Sequence, residues 1–287
     1  MSMKKCDLCP RNCNIDRTKT KGLCGEKEEM SVNTYSVFMF EEPPISGPCG
    51  SGAIFFSGCS LKCVFCQNYE ISHNGHGTKV TPLGLVEIMK ELESKGVHNI
   101  NLVSPTHFAD EIIEALKIYK PNVPVVWNTH GYEKVETIQK LLPYVNIFLT
   151  DFKYFRPETA KKYSNCPDYV ENAKAALNEM VKNKPLEFDG EMLKQGVIVR
   201  HLILPLHTQE SKQVLDYLKQ NYDKQILVSV MSQFTPFGEC DRFPEINRKL
   251  TPREISTTNK YFLELDLDGF IQNSKSADTC FIPNWNK

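Results

Sequence analysis

Three cysteines on one short stretch have the spacing of iron–sulfur ligands. Cys59, Cys63 and Cys66 follow the apolar run Ala53-Ile54-Phe55-Phe56 in a C-x3-C-x2-C pattern. Three thiolates on one loop can bind three irons of a cubane 4Fe-4S cluster. Because no fourth cysteine follows nearby, the remaining iron keeps an open coordination position, as catalytic metal sites do. The pattern therefore predicts a cluster that binds an external ligand.

A zinc site is the alternative interpretation of the same three cysteines. It requires a fourth protein ligand within about 20 residues. His73 and His76 are the side chains that could supply it. The two interpretations differ in whether the protein closes the coordination shell of the metal.

A second set of cysteines precedes this triplet. Cys6, Cys9, Cys13 and Cys24 are spaced C-x2-C-x3-C-x10-C, among Pro and Gly residues that suit tight turns. Four thiolates can close a tetrahedral zinc site or hold a second four-iron cluster. A segment this short and polar needs bound metal to supply its folding energy. We predict a metal there, and both zinc and a cluster remain open.

Composition excludes several classes of protein. The 287 residues carry 34 basic and 35 acidic side chains, so no positive excess indicates a nucleic-acid partner. No apolar run is long enough for a membrane span, and the first six residues lack the apolar core of a signal peptide. Eleven cysteines in this context indicate metal ligation in a reducing cytoplasm rather than disulfides.

The elements that must position these residues follow from the periodicity after residue 50. Short apolar runs predict six strands, at 53–57, 100–103, 123–127, 145–149, 196–204 and 226–231. Amphipathic helices alternate with them, which predicts a parallel α/β sheet with its site at the carboxyl ends of the strands. We predict a partial six-unit β/α barrel in residues 51–287, after a Cys-rich metal-binding segment in residues 1–50. A doubly wound open sheet is the alternative.

Polar side chains follow the second and third predicted strands. Ser104, Thr106 and His107 come after 100–103, where Ser104 or Thr106 could also cap the next helix. Asn128 comes after 123–127, at a position suited to bind a ribose or a carboxylate. Gly131, a little further on, permits a close approach of backbone.

An acid and a base follow the fourth predicted strand. Asp151 and Lys153 are two residues apart, so in an extended chain they point the same way. Arg200 and His201 are neighbours in the fifth strand, and only one of them can face the interior of a regular strand. We favour His201.

Together these motifs resemble the radical S-adenosylmethionine (SAM) superfamily, and within it the pyruvate formate-lyase activating enzyme-related branch called PflX-like. An aromatic residue, Phe65, precedes the last cysteine of the triplet. Further matching stretches are 41–47, 66–72, 105–108, 151–154, 200–205 and 231–236.

The resemblance implies an oxidoreductase in which the open iron binds SAM. One electron then cleaves SAM to methionine and a 5′-deoxyadenosyl radical, which abstracts hydrogen from a peptide, a protein or a small molecule. It further implies a reductant such as flavodoxin or ferredoxin, and neither a nucleic-acid nor a membrane partner. The implied SAM contacts are Ser104, Thr106, Asn128 and Lys153, and the implied catalytic residues are Asp151, His107 and His201.

A second hypothesis is an iron–sulfur electron-transfer or metal-binding protein on a β/α scaffold, without SAM chemistry. It predicts that the triplet gains a fourth protein ligand and that Lys153 is dispensable.

Overall fold

A computed structural model describes residues 5–272 of the chain. It contains ten strands within that range. These are β1 Ser31–Phe38, β2 Ser51–Phe56, β3 Thr78–Lys79, β4 Ile100–Val103, β5 Val125–Thr129, β6 Ile147–Asp151, β7 Glu187–Asp189, β8 Met192–Leu202, β9 Leu227–Met231 and β10 Gly269–Ile271.

Helices connect most of these strands. They are α1 Pro43–Ser46, α2 Tyr69–Asn74, α3 Pro82–Ser94, α4 Ala109–Ile118, α5 Val135–Leu141, α6 Pro157–Ser164, α7 Tyr169–Asn183, α8 Thr208–Asn221 and α9 Pro252–Glu264. Short 3-10 helices lie at Thr106–Phe108, Asp223–Gln225 and Cys240–Arg242. None of the helices in the described range is long and apolar enough to cross a membrane.

The strands form one sheet whose centre is parallel. Its order is β10-β9-β8-β6-β5-β4-β2-β1-β3, and β7 pairs with β8 off this path. Every pair from β2 to β10 along that order is parallel, whereas β1 lies antiparallel to β2 and to β3. Across residues 5–272, β3 and β10 are the two edges, so the barrel does not close. The predicted α/β class with a parallel sheet is confirmed, and its curvature stops short of a closed ring.

The six predicted strands are all present, and four others escaped prediction. β1 mixes polar and apolar residues, and much of it is only half-buried. β3 and β10 have two and three residues, too few for a period to show. The division of the chain at residue 50 stays a prediction; it falls between β1 and β2, which hydrogen-bond to each other.

The start of α3 shows how local sequence sets an element. Thr81 Oγ1 accepts a hydrogen bond from Gly84 N at 3.1 Å, and Pro82 opens the helix. Threonine is favoured before a helix because its hydroxyl accepts a hydrogen bond from an unpaired backbone N–H of the first turn. Proline is favoured at the first helical position because it has no backbone N–H that would stay unpaired there. Gly96 follows the helix end at φ 78°. Thr81 and Pro82 thus fix the first turn of α3 through local sequence alone.

Strand alternation divides the core into two layers. Residues such as Ile54, Phe56 and Trp127 pack toward the helices. On the opposite face Val126, Leu149 and other apolar side chains of β5, β6, β8 and β9 form a separate buried cluster. The central strands of the sheet are therefore covered by apolar side chains on both faces.

Candidate active site

A cavity of about 780 Å³ opens at the carboxyl ends of the parallel strands. Its volume lies within the range of small-molecule and cofactor sites. The loop after β2, the loop between β1 and α1, and the ends of β4, β5, β6, β8, β9 and β10 surround it. Sites at this end of parallel strands are the rule in β/α folds, because the connecting loops gather there.

The cysteine triplet lies on the wall of this cavity. Cys59, Cys63 and Cys66 all line it. They sit on the loop between β2 and α2, which turns sharply at Gly58 (φ 79°) and Lys62 (φ 57°). None of the ten cysteines in the described part of the chain is in a disulfide, so the three thiols are available to a metal.

Each sulfur of the triplet accepts a hydrogen bond. The donors are Leu61 N to Cys59 Sγ at 3.4 Å, Ser164 Oγ to Cys63 Sγ at 3.1 Å, and Ser72 Oγ to Cys66 Sγ at 3.3 Å. Such bonds orient thiolate ligands and stabilise their negative charge.

The chemistry of this donor set fits an iron–sulfur cluster. Burial raises the pKa of the Cys59 thiol and raises that of Cys66 to about 12, so deprotonated sulfurs need a bound cation there. Within residues 5–272, no three His, Cys, Asp or Glu side chains converge on one point as ligands of a single ion do. In a cubane each thiolate binds a different iron, so its three sulfurs stand further apart than the ligands of one zinc.

Neither proposed fourth ligand lies on the cavity wall. His73 stacks on Tyr69 with ring centroids 4.1 Å apart, and its Nδ1 lies 2.8 Å from Ser72 Oγ. His76 is exposed. The arrangement therefore gives no support to the zinc alternative at the triplet.

Four charged side chains, here called the charged cluster, lie across the cavity: Glu41, Asp151, Lys153 and Arg200. Lys153 Nζ lies 2.6 Å from Asp151 Oδ2, and Arg200 Nε lies 3.0 Å from Asp151 Oδ1. Arg200 Nη1 is 3.4 Å from Glu41 Oε2. Their side chains are only 9% to 16% exposed, so these charges interact with little screening by water.

Burial and pairing oppose each other in the charged cluster. Burial disfavours the charge of Asp151, but Lys153 and Arg200 outweigh it and the pKa of Asp151 is lowered. Burial also opposes the charge of Lys153, yet the Asp151 carboxylate raises the pKa of Lys153. At Glu41 burial prevails over the attraction of Arg200 and raises the pKa to about 7. The charged cluster therefore keeps both cations, Lys153 and Arg200, at the cavity wall, where they can bind an anionic group of a ligand.

Two polar groups at neighbouring strand ends complete this side of the cavity. Ser104 ends β4 with a left-handed backbone (φ 56°), and its N–H donates to Asn128 O at 2.9 Å. Asn128 Oδ1 accepts from Arg200 Nη2 at 2.5 Å, and Asn128 Nδ2 donates to Glu41 Oε1 at 3.3 Å. A non-glycine residue with positive φ costs roughly 1–3 kcal/mol and is typical of functional sites.

The turn after β5 supports both the cysteine loop and the charged cluster. Gly131 has φ 80°, and a Cβ there would stand 2.1 Å from Asp151 O. His130 Nδ1 accepts from Tyr132 N, and its Nε2 donates to Ser60 Oγ at 2.9 Å. Burial lowers the pKa of His130 to about 3, so a neutral imidazole holds the loop between Cys59 and Cys63.

Residues 53–228 match the family model described as "Radical SAM superfamily". This range includes the cysteine triplet and the strand ends that carry Asp151, Lys153 and Arg200. It does not include Glu41, which lies on the loop between β1 and α1. The chain belongs to the radical SAM superfamily. Membership implies an enzyme that uses SAM and an iron–sulfur cluster.

A relative of similar sequence and solved structures of similar fold accompany this match. "Uncharacterized protein MJ0674" of Methanocaldococcus jannaschii is 32% identical over 279 residues, which are 92% of this chain and 77% of that protein. The structure of Streptococcus suis SuiB bound to S-adenosylmethionine is 14% identical with a TM-score of 0.51, covering 75% of this chain and 48% of SuiB. A second SuiB structure is 15% identical with a TM-score of 0.51, covering 76% and 47%. This chain thus spans about half of SuiB and shares its fold.

Three residues assigned from sequence do not line the radical SAM cavity. Thr106 Oγ1 donates to Glu133 at 2.6 Å, and His107 Nε2 donates to Ser57 O at 2.7 Å. His201 Nδ1 donates to Phe152 O at 2.7 Å, and its Nε2 accepts from Ser211 Oγ at 2.9 Å. All three are buried among other partners, so their roles as SAM or substrate contacts stay predictions without support from this arrangement.

Alternation along β8 decides between its two neighbouring candidates. Arg200 lines the cavity and His201 faces the other side of the strand. Asp151, Lys153, Ser104 and Asn128 do come together on the cavity. Glu41 had no assigned role, although the stretch 41–47 was part of the family resemblance. No local periodicity connects it with residues of β6 and β8.

The N-terminal cysteines lie beside the loop that carries the triplet. Arg11 reaches that loop, and its guanidinium donates to Ser60 O at 2.8 Å, Leu61 O at 3.2 Å, Ser164 O at 3.0 Å and Asn165 O at 2.7 Å. Cys59 N donates to Cys24 O at 3.0 Å. A segment far from the triplet in sequence is therefore packed directly against it, with Cys6, Cys9 and Cys13 in the preceding turns.

Proposed function

We propose that this chain is an activating-enzyme-like radical SAM oxidoreductase of the PflX-like branch. Cys59, Cys63 and Cys66 hold a 4Fe-4S cluster, and SAM binds in the cavity beside it. The observation that carries the proposal is that the triplet and the charged cluster line one cavity. A cofactor site needs both: ligands for the metal and a polar wall that orients the organic part.

Residues of the strand ends take separate parts in this proposal. When bound, the cluster and SAM supply a 5′-deoxyadenosyl radical. Lys153 binds the SAM carboxylate, because it is a cation in the poorly hydrated charged cluster. Ser104 and Asn128 hydrogen-bond the amino group and the ribose from neighbouring strand ends.

The remaining members of the charged cluster face the substrate in the same cavity. Asp151, Glu41 and Arg200 orient a polar group of a peptide, a protein or a small molecule. The cavity excludes bulk water once filled, which protects a radical from side reactions. The electron comes from a low-potential donor of the flavodoxin or ferredoxin kind.

SAM cleavage is the first test of this function. Protein reconstituted with iron and sulfide without oxygen, then reduced, is expected to release 5′-deoxyadenosine and to change its electron paramagnetic resonance spectrum when SAM is added. Cys63→Ala abolishes both effects. Cys49→Ala, at an exposed cysteine, leaves them unchanged. An unchanged spectrum with no deoxyadenosine, at full iron occupancy, contradicts the proposal and favours an electron-transfer protein.

The part assigned to Lys153 is tested by affinity. Lys153→Met is expected to weaken SAM binding about 10- to 100-fold, since a hydrogen bond to a charged group contributes roughly 1.5–3 kcal/mol. Binding is measured by calorimetry on the reconstituted protein. Lys140→Met, which removes an exposed ion pair with Asp110, is the control. Equal affinity in both variants would exclude this role of Lys153.

A further inference from the structure

The four N-terminal thiols gather around a glycine. Cys6 N donates to Ile15 O and Asn14 N donates to Cys6 O, both at 2.9 Å, which brings the first cysteine beside the third. A Cβ on Gly22 would stand 3.2 Å from Cys24 Sγ and 3.8 Å from Cys13 Sγ. Cys9 interacts electrostatically with both Cys24 and Cys6. The sulfurs of Cys13 and Cys24 therefore flank the space that Gly22 leaves, and Cys6 and Cys9 are close enough to interact with them electrostatically.

The four sulfurs do not form a single-ion site within the described part of the chain. No three of them close into the ligand geometry of a single ion, and the same holds for the other His, Cys, Asp and Glu side chains between residues 5 and 272. The described residues of the cavity triplet, to which the family assigns a cluster, form no single-ion site either. A tetrahedral zinc site needs four sulfurs at about 2.3 Å from one centre, whereas a cubane spreads its ligands over four irons.

Cys24 joins this group directly to the triplet. Its carbonyl oxygen accepts the hydrogen bond from Cys59 N. A path from Cys24 Sγ to Cys59 Sγ thus consists only of bonds within these two residues and one hydrogen bond. Gly58 makes the approach possible, because a Cβ there would stand 2.7 Å from Cys24 O.

Burial of the four cysteines gives this path a direction. Cys6 and Cys13 are partly exposed, whereas Cys9 and Cys24 are buried. Solvent therefore reaches Cys6 and Cys13, whereas the cysteine that contacts Cys59 is buried. A metal site that only stabilises the fold does not require this difference in exposure among its ligands.

We propose that Cys6, Cys9, Cys13 and Cys24 hold a second 4Fe-4S cluster that passes single electrons to the cluster on the triplet. The relay rests on the proposed function, since SAM cleavage consumes the electron. A reduced flavin or iron–sulfur protein gives up one electron at the Cys6 and Cys13 side. The N-terminal cluster takes that electron and passes it on through Cys24 and Cys59. No bond forms or breaks and no proton moves in this step.

Metal content tests the site without reference to activity. The full chain, reconstituted without oxygen, is expected to contain about eight iron and eight sulfide per chain. Cys9→Ala/Cys13→Ala is expected to contain about four of each, while Cys49→Ala keeps the full content. About four iron with one zinc in the unaltered chain overturns the proposal. If the double variant does not fold, spin counting on the reduced unaltered chain decides: two interacting spins support a second cluster and a single isolated spin excludes it.

Reduction kinetics test the relay. With a reduced ferredoxin as donor, the double variant is expected to reduce its remaining cluster at least tenfold more slowly than the unaltered chain, followed by freeze-quench paramagnetic resonance. Equal rates overturn the relay. Because this readout needs no SAM, a normal relay without deoxyadenosine would contradict the proposed function alone.

Discussion

At the scale of single residues, we expect the hydroxyl of Ser164 to influence the potential of the proposed cluster. It donates to Cys63 Sγ and lies 2.6 Å from Tyr154 Oη. A hydrogen bond to sulfur favours the more negative, reduced state of a cluster. Ser164→Ala is expected to lower the midpoint potential by roughly 40 mV, from about 1 kcal/mol lost on a one-electron couple. Potentiometric titration measures it, with exposed Ser256→Ala as control; equal potentials would contradict the assignment.

Arg200 compensates two buried carboxylates. Arg200→Met leaves Glu41 and Asp151 without its charge, although Lys153 still pairs with Asp151. Removing one partner of a buried ion pair costs about 3–5 kcal/mol. Urea unfolding should show a loss of that size. Arg242→Met breaks an exposed pair with Glu239 and should cost less than about 1 kcal/mol. Similar losses in the two variants would mean that the charged cluster is well hydrated.

Part of this site follows from the sequence because strand spacing is local information. Asp151 and Lys153 point the same way since they are two residues apart, and the C-x3-C-x2-C spacing needs only one loop. Glu41 could not be assigned in this way, because its contacts with Asn101 and Arg200 join distant segments. Alternation along β8 limits Arg200 and His201 to one inward residue but does not say which of the two it is. The choice of His201 therefore had no support from local sequence.

At the scale of elements, the contact between the ends of β5 and β6 depends on a missing side chain. Gly131→Ala places a Cβ 2.1 Å from Asp151 O at φ 80°, whereas Gly96→Ala at φ 78° meets nothing within 4 Å. The positive φ alone costs roughly 1–2 kcal/mol in both variants. Gly131→Ala is expected to lose roughly 1–3 kcal/mol more, since the backbone must shift.

Urea unfolding of the two glycine variants measures this difference. The displaced Asp151 should also weaken SAM binding in Gly131→Ala and not in Gly96→Ala. Equal stabilities would mean that the turn after β5 accommodates the added Cβ without strain.

The central strands could be predicted because they are buried on both faces and read as continuous apolar runs. β10 and β1 escaped because their side chains are only partly buried. Strands at or near the edge of the sheet are fixed by hydrogen bonds to their neighbours more than by their own pattern, and a single sequence does not show such pairing.

At the scale of the whole molecule, buried acids make stability depend on pH. Glu133 accepts hydrogen bonds from Thr106, Thr129 and Trp127, yet burial raises its pKa from 4.5 to about 7. Between pH 4.5 and 7 the Glu133 carboxyl is therefore protonated in the folded state and ionised in the unfolded state. The contribution of Glu133 to the free energy of unfolding is complete below pH 4.5 and is lost as the pH rises through 7. The loss is roughly 3 kcal/mol, at 1.36 kcal/mol per unit of pKa difference between the two states.

Glu133→Gln should flatten this part of the stability profile. Urea unfolding at pH 5 and pH 7.5 compares the variant with the unaltered chain, and exposed Glu136→Gln is the control. A slope that stays the same in Glu133→Gln would show that Glu133 titrates normally.

The contacts of the N-terminal segment have a consequence for how the protein is made. Arg11 binds the carbonyl of Ser164, 153 residues further on, and Thr137 donates to Leu8 O across 129 residues. At 5–20 residues per second, a ribosome needs roughly 8–30 s to synthesise the chain between such partners. During that interval the cysteines that emerge first are unshielded thiols on a nascent chain. On the proposal that these cysteines bind metal, the supply of iron, sulfide and zinc during translation acts on them before the finished fold can select among these metals.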